Sequence, residues 1–325
     1  MAQFLYKTVK PSGGDYTSLE ACMNANEQDL TGDGWFDVEI DGTWSSADTT
    51  AVTIHNYTIT SADYINIYTK AGTARHDGTP DNTTAYSLTA LLFIGQMGSA
   101  ADVLKIDGIY FGQGGYIGCG NYANFYFTVK NCLFIGTNNG KIWCWAPPDR
   151  GKCLIYNCIF IYTGTDQYGA GIFGLIPVAE GDIQLYNCTF NCGEYTNGAT
   201  ITGILVKNCI SFDVFQGGGR GCFIGTAASG SDYNVSDDTT APDGGNSQIN
   251  VTPTFVDEPG NDLHLAVTDT IAIDLGTDLS ATFTIDIDGD TRVTWDIGAD
   301  EYVAAGGEVY YTTINNAVIC NAIIG

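Results

Sequence analysis

The clearest pattern in the chain is a short alternation of apolar and polar residues that recurs five times within residues 104–212. The copies read KIDGIYF, VKNCLFI, IYNCIFI, LYNCTF and VKNCISF. Steps of 24, 26, 30 and 21 residues separate their equivalent positions, which are Asp107, Asn131, Asn157, Asn187 and Asn208. A period of roughly 20 to 50 residues is typical of stacked structural units. Each unit is too short for a pair of helices, so it predicts one coil of two or three short strands.

Stacking such coils places equivalent strands about 4.8 Å apart, so equivalent side chains form columns along the axis. We expect the Asn column at a sharp bend, because Asn tolerates the left-handed backbone conformation and stacked amides hydrogen-bond to each other. The next position predicts an apolar column inside the coil, made of Cys132, Cys158, Cys188 and Cys209. Vertical neighbours come near disulfide distance, but buried thiols pack as small hydrophobic groups, so we predict no obligatory disulfide.

The segments on either side of the repeat differ from it, as the ends of a solenoid must. Near the start, Thr17 and Glu20 form a capping-box pattern ahead of helix-forming residues, which predicts a short helix over residues 16–26. From Asp37 onward, alternating segments such as DVEID and YINIY predict half-buried strands of the first coils.

These patterns divide the chain into four parts. We predict an N-terminal cap over residues 1–36, β-helix coils over 37–230, and C-terminal coils with an irregular cap over 231–303. Residues 304–325 form a linker and an apolar segment that carries no charge after Glu308. A free segment of this kind invites aggregation, so we expect it to dock on its own solenoid or to act as an assembly strand on a neighbouring subunit.

Composition narrows the function classes. With 12 Lys+Arg against 37 Asp+Glu, the formal net charge of −25 repels phosphate backbones and anionic membranes, so we expect no nucleic-acid partner. The 41 Gly and 19 Tyr favour β structure with tight turns. No apolar run is long enough to cross a bilayer, and the first residues lack a secretory-signal pattern, which indicates a mature chain or release by lysis.

Motifs at both ends resemble a known family. The tail ends in WDIGADEY at residues 295–302, and the N-terminal part contains GTW, YINIYT and ARHDG. These segments resemble the pectate-lyase-like proteins, including β-helix proteins of tailed bacteriophages and uncharacterised extracellular proteins. The resemblance covers residues 1–302 and implies an all-β, right-handed parallel β-helix with a short N-terminal capping helix. It does not fix function, because this scaffold hosts lyases, hydrolases, adhesins and inert virion parts.

Two acidic segments are candidate calcium sites, although no cofactor is required. Loop positions 1, 3, 5 and 9 of an EF-hand-like segment are held by Asp29, Thr31, Asp33 and Asp37. Position 12 of that loop is Ile40, where an EF-hand needs a bidentate acid. The second segment contains Asp286, Asp288 and Asp290. In both, a polar turn in which Asp caps its own backbone is the simpler interpretation.

No residue matches a catalytic motif of the family. A lyase needs a basic residue beside acids, and the candidates on turn-like segments are Arg150, Lys152 and Arg220, with Asp149 nearby. A hydrolase needs paired carboxylates, and the candidates are Asp166, Glu180, Asp182 and Asp213. These carboxylates lie at different sequence distances from the Asn of their repeat, which predicts that they are spread over several faces of the solenoid. Exposed rings that could stack on glycans are Trp143, Trp145 and Tyr168, against the alternative of rings stacked between coils.

We therefore expect a structural protein of a bacteriophage particle, such as a decoration, fibre or spike component at the virion surface, that contacts host-surface glycans. The partners that this implies are other virion proteins, cell-surface polysaccharide and further copies of the chain, with a trimer usual for phage fibres and spikes. The alternative is an extracellular polysaccharide lyase or glycoside hydrolase of the pectate-lyase-like group.

Overall fold

The structure is a computed structural model. It describes residues 4–28, 30, 34–59, 63–80, 83–95, 102–119, 125–137, 141–144, 151–164, 171–173, 179–193, 199–213, 221–304, 311–314 and 317–320. Of these described residues, 38% lie in strands and 4% in helix, and the strands form long parallel sheets. The predicted all-β parallel β-helix is therefore confirmed.

Three parallel sheets run along the solenoid, and each coil contributes strands to them. Sheet I has eight strands, each paired with its equivalent in the next coil: Phe4–Val9, Trp35–Ile40, Tyr64–Thr69, Asp102–Asp107, Phe125–Lys130, Gly151–Tyr156, Ile183–Tyr186 and Leu205–Lys207. Because every neighbour in this order comes from a later coil, the sheet grows in one direction with the sequence.

Sheet II also has eight strands and follows sheet I after the bend in each coil. In axial order they are Ser87–Leu88, Tyr110–Phe111, Leu133–Gly136, Ile159–Tyr162, Thr189–Asn191, Ile210–Phe212, Val235–Ser236 and Gln248–Ile249. The last two strands show that sheet II continues past residue 230 into the part predicted to hold the C-terminal coils.

Sheet III closes the coils with five strands: Val52–Ile54, Leu91–Ile94, Tyr116–Cys119, Ile142–Cys144 and Ile172–Phe173. A two-stranded parallel sheet pairs Ala199–Thr200 with Phe223–Ile224. Two antiparallel hairpins lie after the coils, one of Phe255–Asp257 with Asp262–Leu265 and one of Tyr311–Ile314 with Ala317–Cys320. A single 3₁₀ turn, Glu258–Gly260, connects the strands of the first hairpin.

The interior of the coils is filled by side chains that stack in columns. Phe111, Phe134, Phe160 and Phe190 are fully buried, and their rings stack with centroids 4.7 Å apart at each step and interplanar angles of 4°, 2° and 7°. This spacing equals the distance between strands in a sheet, so one ring sits on the next in every coil. The column ends where Ser211 takes the register position of Phe190.

The central strands of sheet II are buried on both faces, which explains their consecutive apolar residues. Phe134 points into the coil interior, whereas Leu133 and Ile135 belong to a second apolar cluster outside it. Continuous rather than alternating hydrophobicity is typical of a parallel strand covered on both sides. The cover on the outer face comes from the C-terminal region.

The short helix spans Leu19–Ala25 and closes the N-terminal end of the solenoid. Its buried residues are Leu19, Cys22 and Met23, and the Tyr57 hydroxyl donates to the Met23 carbonyl at 2.9 Å. The predicted capping residue was wrong by one position, since Ser18 rather than Thr17 caps the helix and accepts from the Ala21 N–H. Three residues fewer than predicted are therefore helical at the start.

The solenoid begins earlier than the sequence suggested. Phe4–Val9 already pairs in parallel with Trp35–Ile40, so the first strand of sheet I lies inside the segment assigned to the N-terminal cap. The outer edge of this strand is partly covered by its own chain, because Asp15 Oδ2 accepts the Thr8 N–H at 2.8 Å and Tyr16 donates to the Thr8 carbonyl. Such cover limits pairing with other strands.

Candidate functional site

The Asn column marks the bend between sheets I and II. Asn131, Asn157, Asn187 and Asn208 have φ values of 51°, 51°, 44° and 54°, which is the left-handed region. The Asn157 amide donates to Asn131 Oδ1 at 3.2 Å, and the Asn208 amide donates to Asn187 Oδ1 at 3.1 Å. Between Asn157 and Asn187 no such bond is present in the described structure, since both amides turn to other partners.

The first member of the predicted column was wrong by one position. Strand register pairs Asp107 with Lys130, so Gly108, at φ 73°, is the residue equivalent to Asn131. Asp107 still ends the column, because its Oδ1 accepts the Asn131 amide at 2.9 Å and the Arg75 guanidinium at 2.7 Å. The bend therefore uses Gly where the other coils use Asn, for the same conformational reason.

The Cys column lies inside the coils with free thiols at Cys132, Cys158, Cys188 and Cys209. Each thiol donates to the carbonyl two residues earlier and reaches a carbonyl of the preceding coil, as Cys158 does to Tyr156 at 3.3 Å and Val129 at 3.8 Å. Burial raises the pKa of Cys132, Cys158 and Cys188 well above its usual value. Buried thiols of this kind are unreactive packing groups.

A disulfide lies outside this column, at a cysteine to which the prediction did not apply. Cys119, at the end of its sheet III strand, is disulfide-bonded. Strand register pairs it with Cys144 of the next coil. No periodic signal marks this position, because neither Cys119 nor Cys144 belongs to the recurring motif.

The C-terminal segment of residues 266–302, which we call the strap, covers the Asn column. The Asn157 amide donates to the carbonyl of Ile285, and the Asn187 amide donates to Asp296 and Gly298 carbonyls at 2.9 and 3.0 Å. Asn208 also donates to a strap carbonyl and accepts a strap N–H at 2.9 Å. The amides thus serve two purposes, holding the bend and binding the strap.

Apolar contacts hold the strap on both sides of the bend. On the side of sheet II, strap residues such as Ile287 and Ile297 join the cluster that covers the outer face. On the side of sheet I, Tyr156 stacks on Phe283 of the strap with ring centroids 4.5 Å apart. The strap therefore fastens successive coils together from outside.

A buried arginine anchors the strap at its centre. The Arg292 side chain is fully buried and pairs with Glu301 at 3.2 Å. Its guanidinium also donates to Asn157 Oδ1 at 3.2 Å and to the Ala299 carbonyl at 2.7 Å. Burial lowers the Arg292 pKa, opposed by the surrounding carboxylates. This network joins the strap to the Asn column through the buried Arg292 charge, which Glu301 compensates.

A second ionic cluster lies beside Gly78, where Asp288 of the strap meets His264 of the hairpin strand Asp262–Leu265. His264 contacts Asp262 through Nδ1 at 2.5 Å and Asp288 through Nε2 at 2.7 Å. Burial disfavours the charged ring, but the hydrogen bond to Asp288 and nearby carboxylates outweigh it and raise the His264 pKa to about 10. Because only the imidazolium donates from both nitrogens, His264 acts as a cation between two carboxylates. Burial raises the Asp300 pKa to about 7.

In the predicted calcium loop of Asp286, Asp288 and Asp290, the carboxylates of Asp286 and Asp288 are engaged by other groups of the protein. Asp286 Oδ1 accepts the N–H groups of Asp288, Gly289 and Asp290, and its Oδ2 accepts the Glu301 N–H. Asp288 instead reaches His264. Among the described residues, the loop does not bring its three carboxylates to one point, and the groups of three potential ligands that do converge are His264 with Asp288 and Asp300, and Cys222 with Asp237 and Asp238.

Of the other predicted loop, only Asp37 belongs to the described part of the chain. It lies on the outer face of sheet I, where its Oδ1 accepts the Asn66 amide at 3.0 Å. Asp29, Thr31 and Asp33 lie outside the described residues, so the prediction of an ion there stays a prediction.

A group of acids gathers near the last coils. The Asp213 N–H donates to Asp237 Oδ2 at 2.7 Å, and the Cys222 thiol donates to Asp237 Oδ1 at 2.8 Å. Asp238 accepts the Cys222 N–H at 2.9 Å. Burial, followed by the charges of Asp213 and Asp237, raises the pKa of Glu258. A carboxyl group whose pKa is raised by burial and by neighbouring carboxylates is a candidate general acid.

The other predicted catalytic residues do not form a common site in the described structure. Lys152 pairs with Asp182 at 3.3 Å on the exposed face of sheet I, and Glu180 accepts the Ser229 N–H. Of the remaining candidates, Asp213 joins the acidic group, whereas the rest lie outside the described residues: Asp149, Arg150, Asp166 and Arg220. Among the predicted glycan-binding rings, Trp143 is 38% exposed, and Trp145 and Tyr168 also lie outside the described residues.

Sequence reasoning missed two buried basic residues and one partly buried histidine. Lys141 is fully buried, and its ammonium donates to the carbonyls of Ile135 at 3.0 Å and Gly115 at 3.3 Å. Burial lowers its pKa to about 8. Arg292 and His264 were missed as well. Their only sequence signal was that basic residues are rare in an acidic chain, which makes each one a candidate for a specific carboxylate partner.

In comparisons with known proteins, no family model, curated protein or solved structure matches this chain. Within its described residues, the structure contains no helix of the length and apolarity that a membrane span requires.

Proposed function

We propose that this chain is a structural component of a bacteriophage particle, working as a rigid decoration, fibre or spike element rather than as an enzyme. The observation that carries the proposal is the strap, which fastens the solenoid along the bend between sheets I and II. Inside the strap the buried pair Arg292–Glu301 holds it on the Asn column, and Asp288 of the strap binds His264 of the preceding hairpin.

This architecture suits a load-bearing role. The central strands of sheet II are packed on both faces, and close-packed interiors deform little under stress. The free energy of a stacked solenoid is a sum of contacts between neighbouring coils, so an external strap that bridges several coils couples their unfolding. The resemblance of the N-terminal and tail motifs to β-helix proteins of tailed phages supports a particle as the place of action.

The test locates the protein in its source. Particles are banded on a density gradient, and the fractions are probed with an antibody against this chain and with immunogold labelling. Co-banding with DNA-filled particles and label on their surface are expected. Recovery only as free protein at the top of the gradient would refute the particle assignment.

We further propose that sheet III offers a glycan contact through Trp143, whose side chain is partly exposed beside the Cys119 strand. Aromatic rings bind sugars by presenting an apolar face to the pyranose ring. A Trp143→Ala variant should lose binding on a glycan array while a Trp35→Ala variant on sheet I keeps it. Equal binding by both variants and the unaltered protein would exclude this contact.

A second candidate function is glycoside hydrolysis at the acidic group of the last coils. It is favoured by the raised pKa of Glu258 next to Asp213 and Asp237. A polysaccharide digestion screen should then reveal reducing ends, and Glu258→Gln and Asp237→Asn should each abolish them, whereas Asp278→Asn on the surface should not. Retained activity in the Glu258→Gln variant would remove this candidate.

A further inference from the structure

Three potential metal ligands converge where the strap meets the hairpin strand Asp262–Leu265. One ligand atom each of His264, Asp288 and Asp300 lies within 4.8 Å of the other two. His264 Nε2 and Asp288 Oδ2 are 2.7 Å apart. Two ligands that each lie about 2.0–2.2 Å from a tetrahedral Zn²⁺ stand roughly 3.3–3.6 Å apart, so modest side-chain movements bring all three onto one ion.

One oxygen of the buried Asp300 carboxylate has no hydrogen-bond donor. The residue is 6% exposed, and its Oδ2 accepts the Leu265 N–H at 2.7 Å. Among the described residues, no donor bonds to Oδ1. A buried polar atom without a partner is destabilising, and more so when it carries charge. A cation bound at this carboxylate compensates that cost.

The charges at this junction are unbalanced. Three carboxyl groups, those of Asp262, Asp288 and Asp300, surround the single imidazole of His264. The buried Arg292 has a carboxylate partner of its own. A divalent cation supplies the positive charge that one imidazolium cannot.

Two further features suit an ion at His264 Nε2. Asp262 Oδ1 lies 2.5 Å from Nδ1, and a carboxylate on the other ring nitrogen is the usual partner that orients a metal-bound His. Gly78 leaves space beside the ligand atoms, since a Cβ there would come within 2.7 Å of His264 Nε2 and 3.1 Å of Asp288 Oδ1. A side chain at position 78 would therefore fill the space next to the ion.

The site is open to solvent on one side. Asp288 lines a surface cavity of about 460 Å³, together with Asp77 and Thr84. His76 also lines this cavity, but both of its ring nitrogens are hydrogen-bonded to the backbone. The cavity gives an ion an entry path and holds water that can complete the coordination.

We propose that His264 Nε2, Asp288 and Asp300 bind one Zn²⁺, with water in the remaining position. The imidazole nitrogen favours Zn²⁺ over Ca²⁺ and Mg²⁺, which prefer oxygen ligands throughout. The ion takes the place of the Nε2 proton, while Nδ1 keeps its proton and its bond to Asp262. It thereby ties the strap to the preceding hairpin.

The proposal goes beyond the particle and hydrolase proposals and stands independently of both. A chain that binds Zn²⁺ but never co-bands with particles would remove the particle proposal and leave this one in place.

The test titrates Zn²⁺ alone into the metal-free full chain by isothermal calorimetry. The unaltered protein is expected to bind one Zn²⁺, and this binding should be lost in His264→Asn and in Asp300→Asn. Asp262→Asn, which changes only the partner of Nδ1, should weaken binding about 10- to 100-fold. Cys222→Ser removes a ligand from the other converging group and should bind Zn²⁺ as the unaltered protein does.

Two measurements on the unaltered chain do not depend on how the variants fold. X-ray absorption of the Zn²⁺-loaded protein should show nitrogen and oxygen neighbours at about 2.0–2.2 Å. Exchange of the Leu265 N–H, which Asp300 accepts, should slow about 100-fold when free Zn²⁺ is roughly 100 times its dissociation constant.

Three results overturn the proposal. The first is an unaltered chain without saturable Zn²⁺ binding. The second is binding that stays unchanged in both His264→Asn and Asp300→Asn. The third is sulfur neighbours at about 2.3 Å in the absorption spectrum, which would place the ion at a cysteine instead.

Discussion

Replacing Arg292 with Met tests how firmly the strap holds the solenoid. Arg292 is buried with Glu301, and its guanidinium also donates to Asn157 and to the carbonyls of Gly298 and Ala299. Removing one partner of a buried ion pair costs about 3–5 kcal/mol, because the other charge stays buried without compensation. The strap should therefore open roughly 100- to 4,000-fold more often in Arg292→Met.

Hydrogen exchange at the strap amides measures this opening directly. The Gly298 N–H donates to the Asn208 carbonyl and the Ile297 N–H to the Ala272 carbonyl, so both exchange only when the strap lifts or rearranges. Trp295 is buried against Phe283 and reports the same event by fluorescence.

The double variant Arg292→Met/Glu301→Gln provides the matched control. Gln removes the uncompensated charge and keeps one oxygen, which can accept one of the two N–H groups, those of Val293 and Asp296, that the two Glu301 oxygens accept now. We expect the double variant to recover about 2 kcal/mol relative to Arg292→Met. Exchange that is unchanged in Arg292→Met, or a double variant less stable than the single one, would refute the role assigned to this pair.

Three further predictions concern the Asn column, the column of Phe rings and the pH dependence of strap opening. Asn187→Ala should lower the free energy of unfolding by about 2–3 kcal/mol, since it loses the left-handed preference and two strap hydrogen bonds, and Asn187→Gly should recover part of this in denaturant titrations. Phe160→Ala should cost about 3–5 kcal/mol by opening a cavity in the ring column, whereas Phe160→Leu should cost less than half of that. Burial raises the pKa of Asp296 and Asp300 to about 7, so their stabilising contribution is complete below the ordinary value of 3.8 and is lost as pH rises through 7. Strap exchange, corrected for its intrinsic pH dependence, should therefore accelerate as the pH rises from about 4 to about 7, level off above that, and show neither change in an Asp296→Asn/Asp300→Asn variant.

The fold could be predicted because its information is local and repeated. Four coils contribute the same bend residue, Asn, and the same inward Cys, and a fifth keeps the apolar pattern around them, so the repeat indicated stacked strands. The error at Asp107 has the same origin. In the first repeat the bend residue is Gly108, and the neighbouring Asp107 resembles the Asn of the other repeats. Only the strand register shows that Gly108 is the equivalent residue.

The site could not be predicted because its contacts join distant segments. Asn157 and Ile285 are separated by 128 residues, and Asn187 and Gly298 by 111. Nothing in the periodicity of the coils records which later segment will cover them. The acidic loop around Asp286 looked like a cation site, but its oxygens are used by its own backbone, which depends on the three-dimensional path of the loop.

The sequence by itself determined the parallel β-helix, the left-handed Asn bend and the inward Cys column, because these follow from the conformational preference of single residues repeated at one period. Tertiary structure alone decided that residues 266–302 fold back over that bend and that Arg292 and His264 become buried or clamped cations. The physical reason is that a charge is buried only where distant carboxylates and carbonyls converge to compensate it, and that convergence belongs to the folded chain.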